Sequence, residues 1–222
     1  MSGDRLSRDE FERRYEASPP GFRAELIEGV VYVASPVSER FHGQPHFRMS
    51  GWLFNYVAAT PLLLAGDNST VRLDLDNEPQ PDLYLRIQPE AGGATTTDPE
   101  TGYVIGSPEL VIEVAASSRS IDLNSKLNAY RRNGVKEYIV VQTYEEIVDW
   151  FALRGSNYER LTSADGILRS QVFPGLWLDP KAMLAGDLAG VLRVLQQGLA
   201  SPEHRLFLER VQQAVAKKQP HT

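Results

Sequence analysis

Two acidic residues and a lysine have the types and spacing to do chemistry. Asp82 follows Pro81 at the head of a Leu-Tyr-Leu-Arg-Ile run, and Glu113 lies inside Glu109-Leu-Val-Ile-Glu113-Val-Ala. Both runs read as buried β-strand, and each brings one carboxylate inside. A buried carboxylate is costly unless it is paired, hydrogen-bonded or bound to a metal. Lys126 comes on the segment that follows. Two carboxylates can hold Mg²⁺ or Mn²⁺ while the ion keeps several waters. Such an ion lowers the pKa of bound water and polarises a phosphoryl oxygen. A lysine beside it stabilises negative charge that develops in the transition state, or helps to orient the nucleophile. The set points to metal-dependent hydrolysis of a phosphodiester.

Each residue alone has a plainer reading. Pro-Asp starts strands and turns, with the Asp side chain as a capping acceptor. Glu113 can be half of a buried ion pair with an arginine. Lys126 can extend to solvent along its stem, or pair with Asp122 four residues earlier. Three separate explanations are then needed, where a metal site needs one.

The elements that must position these groups can be read from apolar periodicity. Residues 7–16 form a helix, with Ser7 and Glu10 at capping-box spacing. Residues 24–34 read as two short strands turning at Glu28-Gly29. A long helix is expected over 39–59, with Phe47, Trp52, Leu53, Tyr56 and Val57 on its buried side. Strands follow at 61–64, 71–75 and 82–87, then a flexible loop over 88–107 that contains Gly92-Gly93 and three consecutive threonines. In the second of these strands Val71, Leu73 and Leu75 alternate with Arg72 and Asp74, and Asp74 and Asp76 read as solvent-facing or turn residues.

The continuous apolar run 110–114 is a central strand. A helix over 121–133 ends at Gly134. At about 100° per residue its stripe is Leu123, Leu127 and Tyr130, and Lys126 lies about 60° from Leu123, at the stripe's edge. Strands at 138–141 and 147–153 pair as a hairpin, and 158–162 and 171–173 extend the meander. Asp179-Pro180 and Ser201-Pro202 open further helices. The last runs to about Lys217, with Leu208, Val211 and Val215 as a stripe that can dock on the body or on a second copy. The order predicts an α/β domain with a mixed central sheet flanked by helices.

Bulk properties narrow the function. The chain has 222 residues, room for one domain with a full core. There is no cysteine, which excludes disulfides, zinc–thiolate sites and cysteine nucleophiles. A net charge of −6 argues against a broad basic surface that coats nucleic acid, but leaves room for a local basic strip. The polar N-terminus and the lack of a long apolar run give cytoplasm as the expected location, with no membrane partner. His42 and His46 are four apart, but Gly-Gln-Pro stands between them where a zinc hydrolase helix would carry its catalytic glutamate.

Pro81-Asp82, Glu113-Val-Ala, Lys126 and the stretch Ala129-Tyr130-Arg-Arg-Asn-Gly134-Val-Lys-Glu137-Tyr138 together resemble the Uma2 family (DUF820). That family sits within the PD-(D/E)XK, or restriction-endonuclease-like, superfamily. Glu25-Leu-Ile-Glu28-Gly29, Ser35-Pro36 and His42 fit the same pattern, and the resemblance spans about residues 22–180.

The resemblance implies a restriction-endonuclease-like core over 1–185, with 186–222 a C-terminal helical extension on the domain or at a dimer interface. It implies Asp82 and Glu113 as ligands of Mg²⁺ or Mn²⁺, with a backbone carbonyl at Val114 or Ala115 as a third. The superfamily's usual lysine would fall at Ala115, so its role passes to Lys126. An early glutamate, Glu25 ahead of Glu28, completes such sites. His42 is expected at the substrate; Arg131, with Arg132 and Lys136, can contact phosphate, although charge at a helix C-terminus is the commoner explanation. The expected partner is a nucleic acid, DNA ahead of RNA, with a homodimer as a further expectation. The rival class is a binding module for nucleic acid or protein that keeps the fold without catalysis. Two departures stand out: Ala115-Ala-Ser-Ser118 replaces the family's Leu-Ser-Pro-Ser, and Gln142 stands where aspartate is common.

Overall fold

The computed structural model describes residues 2–218. Helix α1 (Arg8–Glu16) begins at Ser7, whose hydroxyl accepts the Glu10 N–H. The hairpin β1 (Ala24–Ile27) and β2 (Val30–Val33) turns through Glu28 and Gly29, both at positive φ, 55° and 71°. That pair of left-handed residues is what a two-residue hairpin turn demands. It fixes Glu25 opposite Tyr32. Ala24 and Leu26 then face the small core around α1, and Glu25 faces the other way.

A wide π-helical turn, Glu39–Gly43, leads into α2 (Gln44–Ala59). Strands β3 (Leu63–Asp67), β4 (Val71–Arg72), β5 (Leu83–Ile87), β6 (Thr96–Thr97), β7 (Val104–Ile105) and β8 (Leu110–Ala115) follow. The next helical stretch is α3 (Arg119–Ile121), a second π-helical turn over Asp122–Lys126, and α4 (Leu127–Arg132). Gly134, at φ 79°, ends it. Then come β9 (Glu137–Gln142), β10 (Ile147–Arg154), β11 (Asn157–Arg160), β12 (Leu168–Arg169) and β13 (Trp177–Leu178). Helices α5 (Pro180–Ala185), α6 (Leu188–Leu199) and α7 (Pro202–Lys218) close the chain.

The central sheet has the order β11-β10-β9-β8-β5-β3. Strands β8 and β9 are parallel and the other neighbours antiparallel, so the sheet is mixed as expected. The main core fills one face, between the sheet and α2, α5, α6 and α7. The opposite face is covered by α4 and a small sheet, β4-β7-β6. Every residue of β8 and β9 is buried, which is why both read as unbroken apolar runs despite Glu113 and Glu137.

Several expectations need correction. Phe47 is 72% exposed; Met49, Trp52, Leu53 and Tyr56 form the buried stripe, and Phe47 lies nearly opposite Met49 on the helix. The strand expected over 71–75 stops at Arg72, because Asp74 accepts the Asp76 N–H and the Asn77 amide and turns the chain. The loop 88–107 carries β6 and β7. Residues 171–173 add no strand to the meander, since β12 pairs with β13 in a separate hairpin.

Of the expected α7 stripe, Val211 and Val215 pack on the main core and Leu208 is not part of it. Phe207 and Val211 join the main core, and Leu206 remains 61% exposed. His204 is buried there with Nε2 2.9 Å from the Thr60 hydroxyl and Nδ1 3.0 Å from the Leu199 carbonyl. The carbonyl can only accept, so Nδ1 donates, and in the neutral ring Nε2 accepts from the Thr60 hydroxyl. Burial depresses its pKa below the ordinary value of 6.5. A depressed histidine contributes stability above its unfolded pKa and loses it as pH falls. Lowering pH from about 7 to about 5 should therefore reduce the thermal midpoint, with a smaller slope in His204→Gln. Equal slopes in differential scanning fluorimetry would exclude this role.

Candidate active site

The site lies where β8 and β9 end and β5 begins. Asp82 is the residue before β5, and its neighbour in space is the C-terminal end of β8. The Asp82 carboxylate takes the Val114 N–H on Oδ2 at 2.7 Å and His42 Nε2 on Oδ1 at 3.1 Å. The Asp82 carbonyl lies 3.1 Å from His46 Nε2. Burial alone would raise the Asp82 pKa, but His42 and the Val114 N–H outweigh it and hold the carboxyl below its usual range. His42 is correspondingly raised by that hydrogen bond, against the effect of burial.

Glu113 points to the α4 face. Its Oε1 accepts Lys126 Nζ at 2.9 Å and the Tyr130 hydroxyl at 2.8 Å. Its Oε2 lies 3.5 Å from the Asp82 backbone nitrogen. Lys126 is only 6% exposed. Its ammonium is 2.9 Å from Glu25 Oε2 and 3.8 Å from Asp122 Oδ1. Glu25 is oriented in turn by the Gln80 N–H, which Oε1 accepts at 2.7 Å. Asp122 is buried, takes the Ser118 hydroxyl on Oδ2 at 2.6 Å, and has no hydrogen-bond partner on Oδ1.

Four carboxylates thus face one ammonium and one imidazole. Burial pushes the Glu113 carboxyl well up; Lys126 opposes this, and Asp122, Asp82 and Glu25 add to it. Asp122 is raised for the same leading reason. Burial would lower Lys126, but Glu113, Glu25 and Asp122 prevail and hold its pKa well above the ordinary value. With every carboxylate ionised the cluster would carry surplus negative charge; the raised Glu113 and Asp122 relieve it by holding protons, and a divalent cation would neutralise it instead.

The donor chemistry fits such an ion. Oxygen ligands, two of them carboxylates, suit Mg²⁺ or Mn²⁺, and Mg²⁺ binds through one or two carboxylates while keeping its waters. Among the described residues no three His, Asp or Glu side chains form a ready-made cation cage. An ion would therefore rely on Asp82, Glu113, backbone oxygen and water.

Most of the sequence-predicted residues meet here: Asp82, Glu113, Lys126, Glu25 and His42. Three do not. Glu28 sits in the hairpin turn and pairs with Arg132 at 2.6 Å. Arg131 donates to the Ser156 carbonyl in the β10–β11 turn at 2.7 Å, away from the carboxylates. The Ala115 carbonyl, expected as a third ligand, accepts the Thr143 N–H at 3.0 Å. The parallel ladder explains this: the carbonyls of Glu109 and Ala115 bond β9, so the alternate Val114 faces Asp82 and β5. Of the two carbonyls, Val114 is the one on the carboxylate side.

Two members were missed. Asp122 was assigned only as a partner of Lys126, and Tyr130 only as part of an apolar stripe. A buried tyrosine needs a partner for its hydroxyl, which was the available signal. The partner, Glu113, lies on another element and could not be read. His42 and His46 do share a face, with rings stacked 5.7 Å apart, and both serve Asp82.

No curated protein matches the chain. Among solved structures it is similar to a putative nuclease belonging to DUF820 from Anabaena variabilis, with a TM-score of 0.60 and 16% identity, over 81% of this chain and 98% of that one. At that identity the likeness bears on the fold alone. The model of the Uma2 family, described as a putative restriction endonuclease, matches residues 8–181. That span includes every residue of the cluster, and the chain belongs to the Uma2 family.

Proposed function

We propose that this chain is a Mg²⁺- or Mn²⁺-dependent nuclease that hydrolyses phosphodiester bonds, in DNA ahead of RNA. Family membership and fold favour a nuclease. The observation that carries the reading to this site is Lys126. Its ammonium reaches Glu113 from the following helix at 2.9 Å, in the place of the lysine that Ala115 cannot supply.

Asp82 and Glu113 would hold the ion, with the Val114 carbonyl on the same side of β8. Bound there, it supplies Lewis-acid polarisation of a phosphoryl oxygen and a more acidic water. Lys126 presents fixed positive charge to the phosphoryl oxygens as negative charge develops. Glu25 and Asp122 aim that ammonium, and their negative charge, with that of Glu113, keeps it protonated against the effect of burial. Tyr130 fixes Glu113 through Oε1, leaving Oε2 on the Asp82 side. His42 holds Asp82 in place.

The test is cleavage of plasmid, single-stranded DNA and RNA by the full chain with Mg²⁺ or Mn²⁺, beside the same reactions in EDTA. Metal-dependent nicking or degradation is expected, with DNA cut faster than RNA. Binding without cleavage under every metal condition would sink the enzyme reading and favour a binding module.

A further inference from the structure

The outer side of α2 carries an apolar stripe that the described residues leave open. Phe47, Gly51, Phe54 and Ala58 recur at i, i+4, i+7 and i+11, within about 60° of one another around the axis. They lie opposite the side on which Met49, Trp52, Leu53 and Tyr56 are buried. Phe47 is 72% exposed and Phe54 71%. A surface helix normally turns charge outward, as α1 does with the exposed Asp9, Arg13, Arg14 and Glu16. Helix α2 has no carboxylate, and its one guanidinium, Arg48, leans toward the carbonyls of Met183 and Leu184.

Gly51 is a second, independent sign. A glycine inside a helix is less stable there than alanine, and it is used where a backbone must be closely approached. Its φ is not positive, so no turn requires it. A Cβ added at Gly51 would meet nothing within 4 Å, so no packing within the chain requires it either. The body that this gap admits comes from outside the chain.

The spacing says what that body is. Residues 47 and 58, and likewise 51 and 54, are equidistant from the midpoint between 52 and 53. When a second copy lays its α2 antiparallel along the first about that midpoint, Phe54 comes level with the partner's Gly51, and Phe47 with the partner's Ala58. Each ring meets the small residues of the stripe, the self-complementarity that a twofold interface demands. Large against small also lets two helix axes come within about 8–10 Å. The two Arg48 side chains fall roughly 13 Å apart along the axis, so like charges do not meet. The four rings bring roughly 600 Å² of exposed surface. That is about half of the ~1,200 Å² that the smallest standard interfaces bury, before the flanks of the helices add their share.

We propose that the face of α2 formed by Phe47, Gly51, Phe54 and Ala58 is a homodimer interface, closed by the same face of a second copy in antiparallel orientation. The C-terminal helix is not the contact, since α7 spends Phe207 and Val211 on the core of its own chain. The dimer stands independently of the nuclease reading. Its geometry sets the two copies of His46, each bonded to the Asp82 carbonyl, roughly 20 Å apart along the paired helices, with one carboxylate cluster at each end.

Sedimentation equilibrium of the full chain at up to about 100 µM should give twice the monomer mass. Phe54→Glu puts a charge on the stripe and should weaken association at least about tenfold, with an unchanged far-UV circular dichroism spectrum. Gly51→Leu is the more selective variant. It replaces a helix-weakening residue in open space, so in dilute solution it should melt at a higher temperature than wild type. Its side chain nevertheless fills the gap that the partner's Phe54 needs, and should weaken association by a similar factor. Stability and association then move in opposite directions, which a folding defect cannot mimic. Leu206→Glu, on the exposed side of α7, should leave the dimer intact. A wild type that stays monomeric throughout overturns the interface and leaves the stripe to an unlike partner. A dimer that survives both Phe54→Glu and Gly51→Leu, or one that only Leu206→Glu disrupts, overturns it by moving the contact to another face.

Discussion

Replacing Lys126 by methionine is expected to destabilise the metal-free protein by about 3–5 kcal/mol, the cost of removing one partner from a buried ion pair. Methionine matches the stem in volume and shape, so the loss is electrostatic. The ammonium lies 2.9 Å from both Glu113 and Glu25. Without it, Glu113, Glu25 and Asp122 face one another with no positive charge between them. Urea unfolding in EDTA, compared with wild type, measures the loss. Saturating Mn²⁺ should recover part of it, because an ion bound only to the folded state stabilises by mass action. Cleavage should still fall by about 10²–10³-fold with metal present, the usual effect of removing one group that stabilises transition-state charge. Full activity in this variant would mean that Lys126 is only a counter-charge.

Glu113 should behave in the opposite way on stability. Asp82→Asn and Glu113→Gln are each expected to reduce cleavage by more than about 100-fold, since even outer partners of a metal ligand cost 10–100-fold. Glu113→Gln should nevertheless leave the metal-free protein as stable as wild type, or more so. Its amide oxygen can still accept from Lys126 and Tyr130, and the surplus negative charge falls. Lys126 keeps Glu25 and Asp122 as partners. The diagnostic result is the thermal shift on adding Mn²⁺, clear in wild type and absent in Glu113→Gln. An inactive Glu113→Gln that retains the full shift would place the ion elsewhere.

Those opposite responses reflect what was legible in the residues. Glu113 stood out because no solvent-facing pattern explains a carboxylate in Leu-Val-Ile-Glu-Val-Ala. The mixed sheet followed from the same unbroken runs. Glu25 was separated from Glu28 only by hairpin register, which the paired positive φ values at Glu28 and Gly29 fix. Phe47 was misplaced because a helix rich in aromatics offers two plausible faces, and tertiary packing on the sheet selects one. Which of Val114 and Ala115 turns its carbonyl toward Asp82 depends on which strand pairs on each side of β8, and that is non-local. Lys126 at the edge of its stripe becomes fully buried because the helix does not keep a constant phase through Asp122–Lys126.

That wide turn has a further consequence. A π turn holds one residue more than a regular α-helical turn, which is what a single inserted residue leaves in a helix. The segments on either side are therefore out of step by one position. A relative with a regular α-helical turn there would carry its lysine one position out of step with Lys126, and a gapless comparison would score a shared residue as lost. For this chain the informative column begins after the turn, where Tyr130 and Glu113 share a hydrogen bond, and the lysine is best counted backwards from that tyrosine.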